Sequence, residues 1–466
     1  NADLSIEEDE ADDLLLAIEE ELRKRRFGKV VRLEVERSMP HATRTLLQQG
    51  LGLGAEEVYE ISGMLDLTAL EDAIADIDMP RLQPHPWQPI VPLRLQAPDE
   101  DEPCDVFAAI RDGDVLLHHP YESFSGSVQR FIEQAASDPD VLTIKQTLYR
   151  TSGDSPIVRA LIEAAEQGKQ VVVLVEIKAR FDERANIVWA RALERAGAHV
   201  AYGLVGLKTH CKAALVVRRE ARGLRRYVHI GTGNYNPKTA RGYVDLGLLT
   251  DDPELCSDVT DLFNVLTGIA RQLSYRKLLV APVGLRDGLV ALIDQEIERH
   301  GLDGSGRIVM KLNAMVDPRM IAALYRASQA GVPIDLIIRG MCSLQPGVPG
   351  VSETIRVRSV VGRFLEHSRI FWFGSGEHER FLIGSADAME RNLDRRIEAL
   401  APVEDPALQD RLREIVRVLV GDDRRSWQLG ADGEWRRVET LVEEPTGLDA
   451  FETLMGITRA SLEAGG

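Results

Sequence analysis

The spacing of apolar residues first matches one face of a helix and then a buried strand, and this order occurs twice along the chain. Apolar residues recur at the spacing of one helical face before Gly168 and again before Gly331. A run of β-branched and aliphatic residues comes next, Val171–Ile177 in the first case and Ile334–Ile338 in the second. Glycine commonly ends helices, and short apolar runs are typical of buried strands. The pattern therefore predicts two similar α/β halves.

The first 104 residues follow a different pattern. They predict an amphipathic helix over Ala11–Arg25, a strand over Val30–Glu36, a helix over His41–Gln49 and a Pro-rich extended linker over Pro80–Pro98. We expect a smaller α+β domain over residues 1–104, a first α/β domain over 105–276 and a second over 277–466. The stretch from Asp422 to the end has weak periodicity, so we expect a small appendage there.

One short motif occurs once in each half. His210 is followed two residues later by Lys212, and His367 is followed two residues later by Arg369. Residues i and i+2 of a strand point to the same face, so each histidine can share a surface with its cation. Each pair precedes a turn of small residues, Gly231-Thr232-Gly233-Asn234 or Gly384-Ser385-Ala386-Asp387. Imidazole attacks phosphorus and glycines admit phosphate to backbone N–H groups, so the motif indicates phosphate chemistry.

The competing interpretation of His210 is a core histidine held by hydrogen bonds, which would be preferred for a lone histidine. The second copy at His367 favours catalysis, with Lys208 or Lys212 balancing the charge of a phosphohistidine. His367 could protonate a leaving oxygen, stabilise the first histidine or be a relic of duplication. The sequence does not divide these roles between the two histidines.

Composition narrows the class of protein. A net charge of −18 argues against nonspecific nucleic-acid binding, although a local basic channel is compatible with it. No stretch approaches the roughly 20 apolar residues of a membrane span, so any membrane association would be peripheral. Four cysteines without a CxxC pair fit a reducing cytoplasm and disfavour a zinc site. We see no signal peptide, and the missing initiator Met leads us to expect a fragment of a cytoplasmic protein.

Arginines follow three of the predicted strands, at Arg150, Arg180 and Arg339. Ligands of α/β sheets bind at the carboxyl ends of strands, and guanidinium groups match phosphate oxygens. The alternative is a set of surface salt bridges to nearby carboxylates. His118-His119 looks like a metal site but lacks spaced carboxylates, so we predict a loop with a scaffold role.

Six phrases in order along the chain are similar to those of a known family. They are Ile144–Arg150, Ala179–Glu183, Gly206–His210, His229–Asn236, Ile338–Leu344, and Ser385–Asp387 with Arg391–Arg396. On these the chain resembles bacterial polyphosphate kinase of the phospholipase D-like type. The resemblance implies two tandem phospholipase D-like α/β domains preceded by a smaller α+β domain, without the family's N-terminal helical domain.

The resemblance also implies a reaction and a set of site residues. The reaction is reversible transfer of the ATP γ-phosphate to inorganic polyphosphate through phosphorylated His210, with His367 as second active-site histidine and Tyr243 and Arg339 contacting ATP. Arg150 and Arg180 match positions associated with Mg²⁺, but arginine offers no lone pair, so we expect them to hold phosphates that share the ion. The further phosphate-site candidates are Lys208, Lys212, Gly231, Gly233, Asn234, His367 and Arg369. The implied partners are ATP, ADP and polyphosphate, and the implied assembly is a homo-oligomer.

Two alternatives belong to other functional classes. A phospholipase D-type phosphodiesterase carries HxKxxxxD, but the two positions of that aspartate hold Val217 and Gly374 here. An inert polyanion-binding module would bind ATP or polyphosphate without forming phosphohistidine.

Overall fold

The computed structural model describes residues 29–75, 77, 79–82, 84–97, 104–149, 154–176, 183–204, 206–272 and 274–463. The predicted helix over Ala11–Arg25 lies outside this range. The chain divides after Pro86 into two compact units.

The first unit contains a small parallel βαβ arrangement. Strands β1 (Leu33–Glu36) and β2 (Val58–Ile61) pair in parallel, and helix α1 (His41–Leu51) makes the crossover that parallel neighbours require. Helix α1 ends at Gly52, whose φ of 66° is left-handed. Helix α2 (Ala69–Ala75) follows. The predicted helix at His41 is confirmed, whereas the strand predicted from Val30 begins at Leu33, where its pairing with β2 starts.

The second unit contains two halves. The elements of the first half are α3 (Val106–Arg111), β3 (Val115–His119), α4 (Arg130–Ser137), β4 (Val141–Leu148), α5 (Pro156–Glu166), β5 (Gln170–Val175), α6 (Glu183–Arg195), β6 (His199–Ala201), β7 (Lys208–Thr209), β8 (Lys212–Glu220), β9 (Gly223–Gly231), β10 (Tyr243–Thr250) and α7 (Pro253–Leu266).

The elements of the second half are β11 (Leu279–Ala281), α8 (Leu285–Asp303), β12 (Ile308–Leu312), α9 (Pro318–Gln329), β13 (Ile334–Ile338), β14 (Ile355–Val360), β15 (Leu365–Glu366), β16 (Ile370–Phe373), β17 (Arg380–Gly384), α10 (Glu390–Asp394), β18 (Arg396–Val403), α11 (Pro406–Gly421), β19 (Ser426–Leu429), β20 (Trp435–Arg437) and α12 (Ala450–Glu463).

The repeated helix–strand unit of the sequence is α5–β5 in one half and α9–β13 in the other. Ser155 and Asp317 cap the two helices through their side-chain oxygens, and a proline occupies the first turn of each. The glycines that follow, Gly168 and Gly331, have φ of 84° and 90°. Strands β5 and β13 then pair in parallel with β4 and β12. The α/β fold class is therefore confirmed.

Each half builds its own mixed sheet, and the sheets exchange short strands. The first sheet has the order β15-β10-β9-β8-β4-β5-β6, and β3 also pairs with β10. The second sheet has the order β11-β18-β17-β16-β12-β13-β14-β19-β20, and β7 also pairs with β18. Strand β15 belongs by sequence to the second half and β7 to the first, so each sheet includes one strand from the other half.

Three segments differ from the sequence-based expectation. Trp87, within the predicted linker, donates from Nε1 to the carbonyl of Pro120, and Leu95 is fully buried. The C-terminal segment is integrated into the fold, because β19 pairs with β14 and Phe451 of α12 lies in the main core. His118 and His119 end strand β3 and are buried, so the prediction of a loop there is wrong. These two residues belong to a strand because they pair with β10, which is distant in sequence.

Candidate active site

Each of the two exchanged strands, β7 and β15, is followed directly by one of the two histidines. Strand β7 pairs in parallel with β18, and the next residue, His210, donates its backbone N–H to the carbonyl of Ile397 at 3.0 Å. Strand β15 pairs in parallel with β10, and the next residue, His367, donates its backbone N–H to the carbonyl of Val244 at 3.1 Å. Each histidine is thus fixed beside a strand of the other half.

That neighbouring strand supplies each imidazole with a buried carboxylate. Nδ1 of His210 lies 2.9 Å from both carboxylate oxygens of Glu398 on β18. Nδ1 of His367 lies 2.8 Å from Oδ1 of Asp245 on β10. An ionised carboxylate only accepts, so when Glu398 and Asp245 are ionised the proton of each neutral ring resides on Nδ1, and Nε2 keeps its lone pair.

The electrostatic environment keeps His210 neutral. Burial lowers its pKa well below 6.5, and the positive charges of Lys212, Arg396 and Arg369 act in the same direction. Burial raises the pKa of Glu398 to about 7, against the opposing effect of Lys212. Burial also lowers the pKa of Lys212 to about 7. The His210 side chain is only 11% exposed, and its neutral ring is a competent nucleophile.

The electrostatic environment of His367 differs from that of His210. Burial alone would raise the pKa of Asp245, but His367, Thr232 and Arg369 lower it to about 2. Burial lowers the pKa of His367, and the charge of Asp245 opposes that shift. Nη1 of Arg369 lies 3.3 Å from Nε2 and 3.4 Å from Nδ1 of His367, so the guanidinium contacts the ring without selecting one nitrogen. Arg369 and Lys212 each also donate to the backbone oxygen of their own histidine.

The basic residues of the motif are tied to both halves. Arg369 donates from Nη1 to the carbonyl of Thr232 in the first half at 3.2 Å, and from Nη2 to Asp387 in the second at 2.9 Å. Lys311, on β12, donates to the side-chain oxygen of Ser368 at 2.7 Å. These contacts hold the segment around His367 in position between the sheets.

Arg339 follows β13, as the sequence predicts. Its Nε is buried and has no hydrogen-bond partner among the described residues. Burial lowers the pKa of Arg339, and the nearby charge of Arg369 contributes. A buried guanidinium N–H without a partner is costly unless an anion satisfies it, so this group fits a phosphate oxygen.

One tyrosine ring lies against each histidine. The ring centre of Tyr243 is 5.4 Å from that of His367, at an angle of 58°. The ring centre of Tyr149 is 5.4 Å from that of His210, edge to face at 88°. The ammonium groups of Lys208 and Lys212 lie 5.3 and 5.6 Å from the Tyr149 ring centre. His210 therefore shares a cluster with an aromatic wall and two cations.

The turn after β9 supports Asp245. Oγ1 of Thr232 donates to Oδ1 of Asp245 at 2.6 Å, and a Cβ on Gly233 would lie 2.3 Å from Oδ2 of the same carboxylate. A Cβ on Gly231 would lie 2.9 Å from the ring of His229. Oδ1 of Asn234 is buried without a partner among the described residues. The glycines thus make room for a carboxylate and a buried ring, a role that the phosphate-turn hypothesis did not include.

Gly233→Ala is expected to displace the Asp245 carboxylate and lower the free energy of unfolding by about 1–3 kcal/mol. Urea denaturation measures this change. Gly242→Ala is the matched control, since a Cβ there meets nothing within 4 Å. Equal stability of the two variants would contradict the close approach of Asp245 to Gly233.

The structure brings together most of the predicted site residues and adds others. His210, His367, Lys208, Lys212, Arg339, Arg369 and Tyr243 are described above, whereas Arg150 and Arg180 lie outside the described residues. Sequence reasoning missed Glu398, Asp245 and Tyr149 as site residues. The available signal was a single acid in each of two apolar strands, Asp245 in β10 and Glu398 in β18.

The described residues contain neither a cluster of metal ligands nor a helix able to span a membrane. They contain no group of three or more His, Cys, Asp or Glu side chains placed to hold a metal ion. Nor does any helix among them have the length and apolar character needed to span a bilayer.

Family models match nearly the whole chain. The model of the polyphosphate kinase middle domain matches residues 1–73, that of C-terminal domain 1 matches 105–272, and that of C-terminal domain 2 matches 278–447.

Individual relatives agree with these matches. Polyphosphate kinase of Synechocystis sp. is 59% identical over 474 residues, covering 99% of this chain and 65% of that protein. Polyphosphate kinase of Streptomyces coelicolor is 59% identical over 440 residues, covering 94% of this chain and 59% of that protein. The crystal structure of polyphosphate kinase from Porphyromonas gingivalis superposes with a TM-score of 0.84 at 34% identity, covering 93% of this chain and 65% of that one. The chain thus spans less than two thirds of these relatives.

Proposed function

Since the chain belongs to the polyphosphate kinase family, we propose that it transfers the γ-phosphate of ATP reversibly to the end of inorganic polyphosphate through a phosphohistidine at His210. The observation that carries the proposal is the contact of His210 Nδ1 with Glu398 at 2.9 Å. It leaves Nε2 of a neutral ring as the nucleophile, near the positive charges of Lys212, Arg396 and Arg369. The names of the relatives supply the substrates.

The proposed cycle has two steps. Nε2 of His210 forms a bond to the γ-phosphorus while the bond between that phosphorus and the β-phosphate oxygen breaks, and ADP leaves. The terminal oxygen of polyphosphate then forms a bond to the same phosphorus while the P–N bond breaks. The proton on Nδ1 stays in place throughout. Glu398 offsets the positive charge that the ring gains on phosphorylation.

The other side chains would position phosphates and neutralise charge. Arg339, with its unpartnered Nε, and Lys212 would bind phosphate oxygens, with Lys208 nearby. Tyr243 would contact ATP beside His367. We assign His367 the role of second active-site histidine, with Arg369 Nη1 lying 3.3 and 3.4 Å from its two ring nitrogens. Gly233 would support this site by making room for Asp245, and Gly231, Asn234, Arg150 and Arg180 stay proposed phosphate contacts.

Mg²⁺ does not fit a site formed by protein ligands alone. The described residues provide no cluster of ligands, and Glu398, Asp245 and Asp387 are each engaged by a histidine or an arginine. Magnesium prefers oxygen ligands and often binds through substrate phosphates. The ion would therefore arrive with the phosphates of ATP.

We also propose the domain limits 1–104, 105–276 and 277–466, a homo-oligomer and a cytoplasmic location. The limits are supported by the ranges of the three family models. The location is supported by four cysteines that are all free thiols. The assembly is supported by exposed apolar side chains in the first unit, such as Leu46, Leu67 and Ile74.

Incubation of the chain with γ-³²P-ATP and Mg²⁺ tests the proposal. Label that is stable in alkali and labile in acid, and that passes to added ADP or polyphosphate, is the expected result. Binding of polyphosphate without any label would favour an inert polyanion-binding module. Cleavage of a phosphodiester such as bis-p-nitrophenyl phosphate without label from ATP would favour the phosphodiesterase.

The pH dependence of labelling should report Lys212. Its pKa of about 7 means that the ammonium charge is lost as the pH rises through 7. The apparent second-order rate constant for labelling should therefore fall on the alkaline side, and it should also fall on the acidic side as Glu398, whose pKa is about 7 too, becomes protonated. Lys212→Arg keeps its charge there, so its alkaline limb should shift upward by several pH units. An identical alkaline limb in both proteins would show that another group titrates.

A further inference from the structure

The aromatic ring of Tyr149 has no role in the proposed two-step phosphoryl-transfer cycle. Strand β4 ends at Leu148, and the next side chain, Tyr149, lies edge to face with His210 at 5.4 Å between ring centres. Because β4 is hydrogen-bonded to β8, which begins at Lys212, the same sheet holds both the ring and the motif. Tyr149 is half-buried, whereas the His210 side chain is only 11% exposed. The aromatic ring is therefore one of the groups that pack against the imidazole.

The two cations of the motif lie near the same ring. The ammonium groups of Lys208 and Lys212 are 5.3 and 5.6 Å from the ring centre, within the range of cation–π attraction. A phosphoryl group on His210 would enter a space bounded by this ring and these charges. The lysines would hold phosphate oxygens, whereas the ring offers a nonpolar surface that a water molecule cannot use to approach phosphorus.

A phosphohistidine must survive until its acceptor arrives. In the competing hydrolysis, the oxygen of water forms a bond to phosphorus, the P–Nε2 bond breaks, and one proton of the water passes to solvent. Sites that carry reactive intermediates suppress such side reactions by excluding water. Among the described residues, Tyr149 presents an aromatic ring to His210 that can do so.

We propose that Tyr149 shields phosphorylated His210 from water and so directs its phosphoryl group to phosphate acceptors. The inference rests on the proposed function, because it presupposes a phosphohistidine. The ring of Tyr149 would act through its position, by keeping water away from the phosphorus. Its hydroxyl group does not act on the phosphorus.

The test compares the native chain with Tyr149→Ala and Tyr149→Phe. Each is labelled with γ-³²P-ATP, freed of nucleotide by rapid gel filtration, and incubated in H₂¹⁸O with no acceptor or with ADP. Without acceptor, Tyr149→Ala should lose its label about tenfold faster than the native chain, equal to ~1.4 kcal/mol of barrier. The released phosphate should contain one ¹⁸O atom. Tyr149→Phe keeps the ring, so its label should last as long as in the native chain.

The ratio of transfer to hydrolysis separates shielding from a merely structural role. A structural defect would reduce labelling without changing how bound label divides between ADP and water. Equal rates of hydrolysis in Tyr149→Ala and the native chain would overturn the proposal, as would fast hydrolysis in Tyr149→Phe. If Tyr149→Ala takes up no label, Tyr149→Ser, which likewise removes the nonpolar bulk, replaces it under the same criteria. Absence of label on the native chain would instead contradict the proposed function.

Discussion

Replacing His210 with alanine is expected to abolish alkali-stable labelling from γ-³²P-ATP. Removing the nucleophile of a covalent mechanism costs a factor of roughly 10⁶ in rate, which takes the label below detection. The expectation rests on the neutral, buried ring whose Nδ1 faces Glu398. The measurement is the amount of label per chain after acid and alkali treatment.

The matched control is His199→Ala, an exposed histidine on β6 of the same half. It should label as the native chain does. His367→Ala should still accept label, although more slowly, because it removes a ring of the site but leaves the proposed nucleophile in place. Label retained in His210→Ala but lost in His367→Ala would exchange the roles of the two histidines.

Glu398→Gln is expected to slow labelling by about 10²- to 10⁴-fold, by analogy with the loss of the carboxylate in other His–carboxylate pairs. Asn392 donates from Nδ2 to Oε1 of Glu398 at 2.8 Å. In the variant the amide oxygen would accept this bond, and the amide nitrogen would take the position of Oε2, which also lies 2.9 Å from His210 Nδ1. An amide N–H can only donate, so it would oppose a proton on Nδ1 and weaken the preference for the tautomer whose Nε2 is the nucleophile. The charge that stabilises the phosphorylated ring is also lost.

Pre-steady-state labelling rates measure this effect, with thermal unfolding to verify that the variant folds. Glu296→Gln is the control for losing a buried carboxylate. Glu296 is 2% exposed and bonds the backbone N–H of Arg307, so its replacement should reduce stability but not the labelling rate. Native labelling kinetics in Glu398→Gln would show that the carboxylate does not set the tautomer of His210.

The sequence predicts the elements well where local pattern determines them. The helix before Gly168 and the strand after it appear as expected, as do their counterparts in the second half, because capping, helical spacing and β-branched runs act over short distances. Arg339 also lies where the end of a strand predicted it. The strand face predicted for His210 and Lys212 is not formed over both residues, because His210 lies between β7 and β8 and only Lys212 belongs to a strand.

The partners of the histidines depend on tertiary structure that no local pattern contains. Glu398 is 188 residues from His210, and Asp245 is 122 residues from His367. These contacts form only because the two-residue strands β7 and β15 pair with the sheet of the other half. Without that pairing, an acid within an apolar strand gives no indication of which ring it will meet. The role of Gly233 was likewise hidden, since it depends on where Asp245 lies.

The reciprocal strand exchange has a consequence for the origin of the chain. Each half lends one two-residue strand and receives one, in matching parallel registers. A symmetric dimer of identical subunits has this kind of self-complementary contact. The tandem chain is therefore equivalent to a dimer whose protomers have been fused, and each half serves as the other's subunit. Two fused halves need not be identical, and these differ at their rings: lysine and glutamate lie at His210, arginine and aspartate at His367.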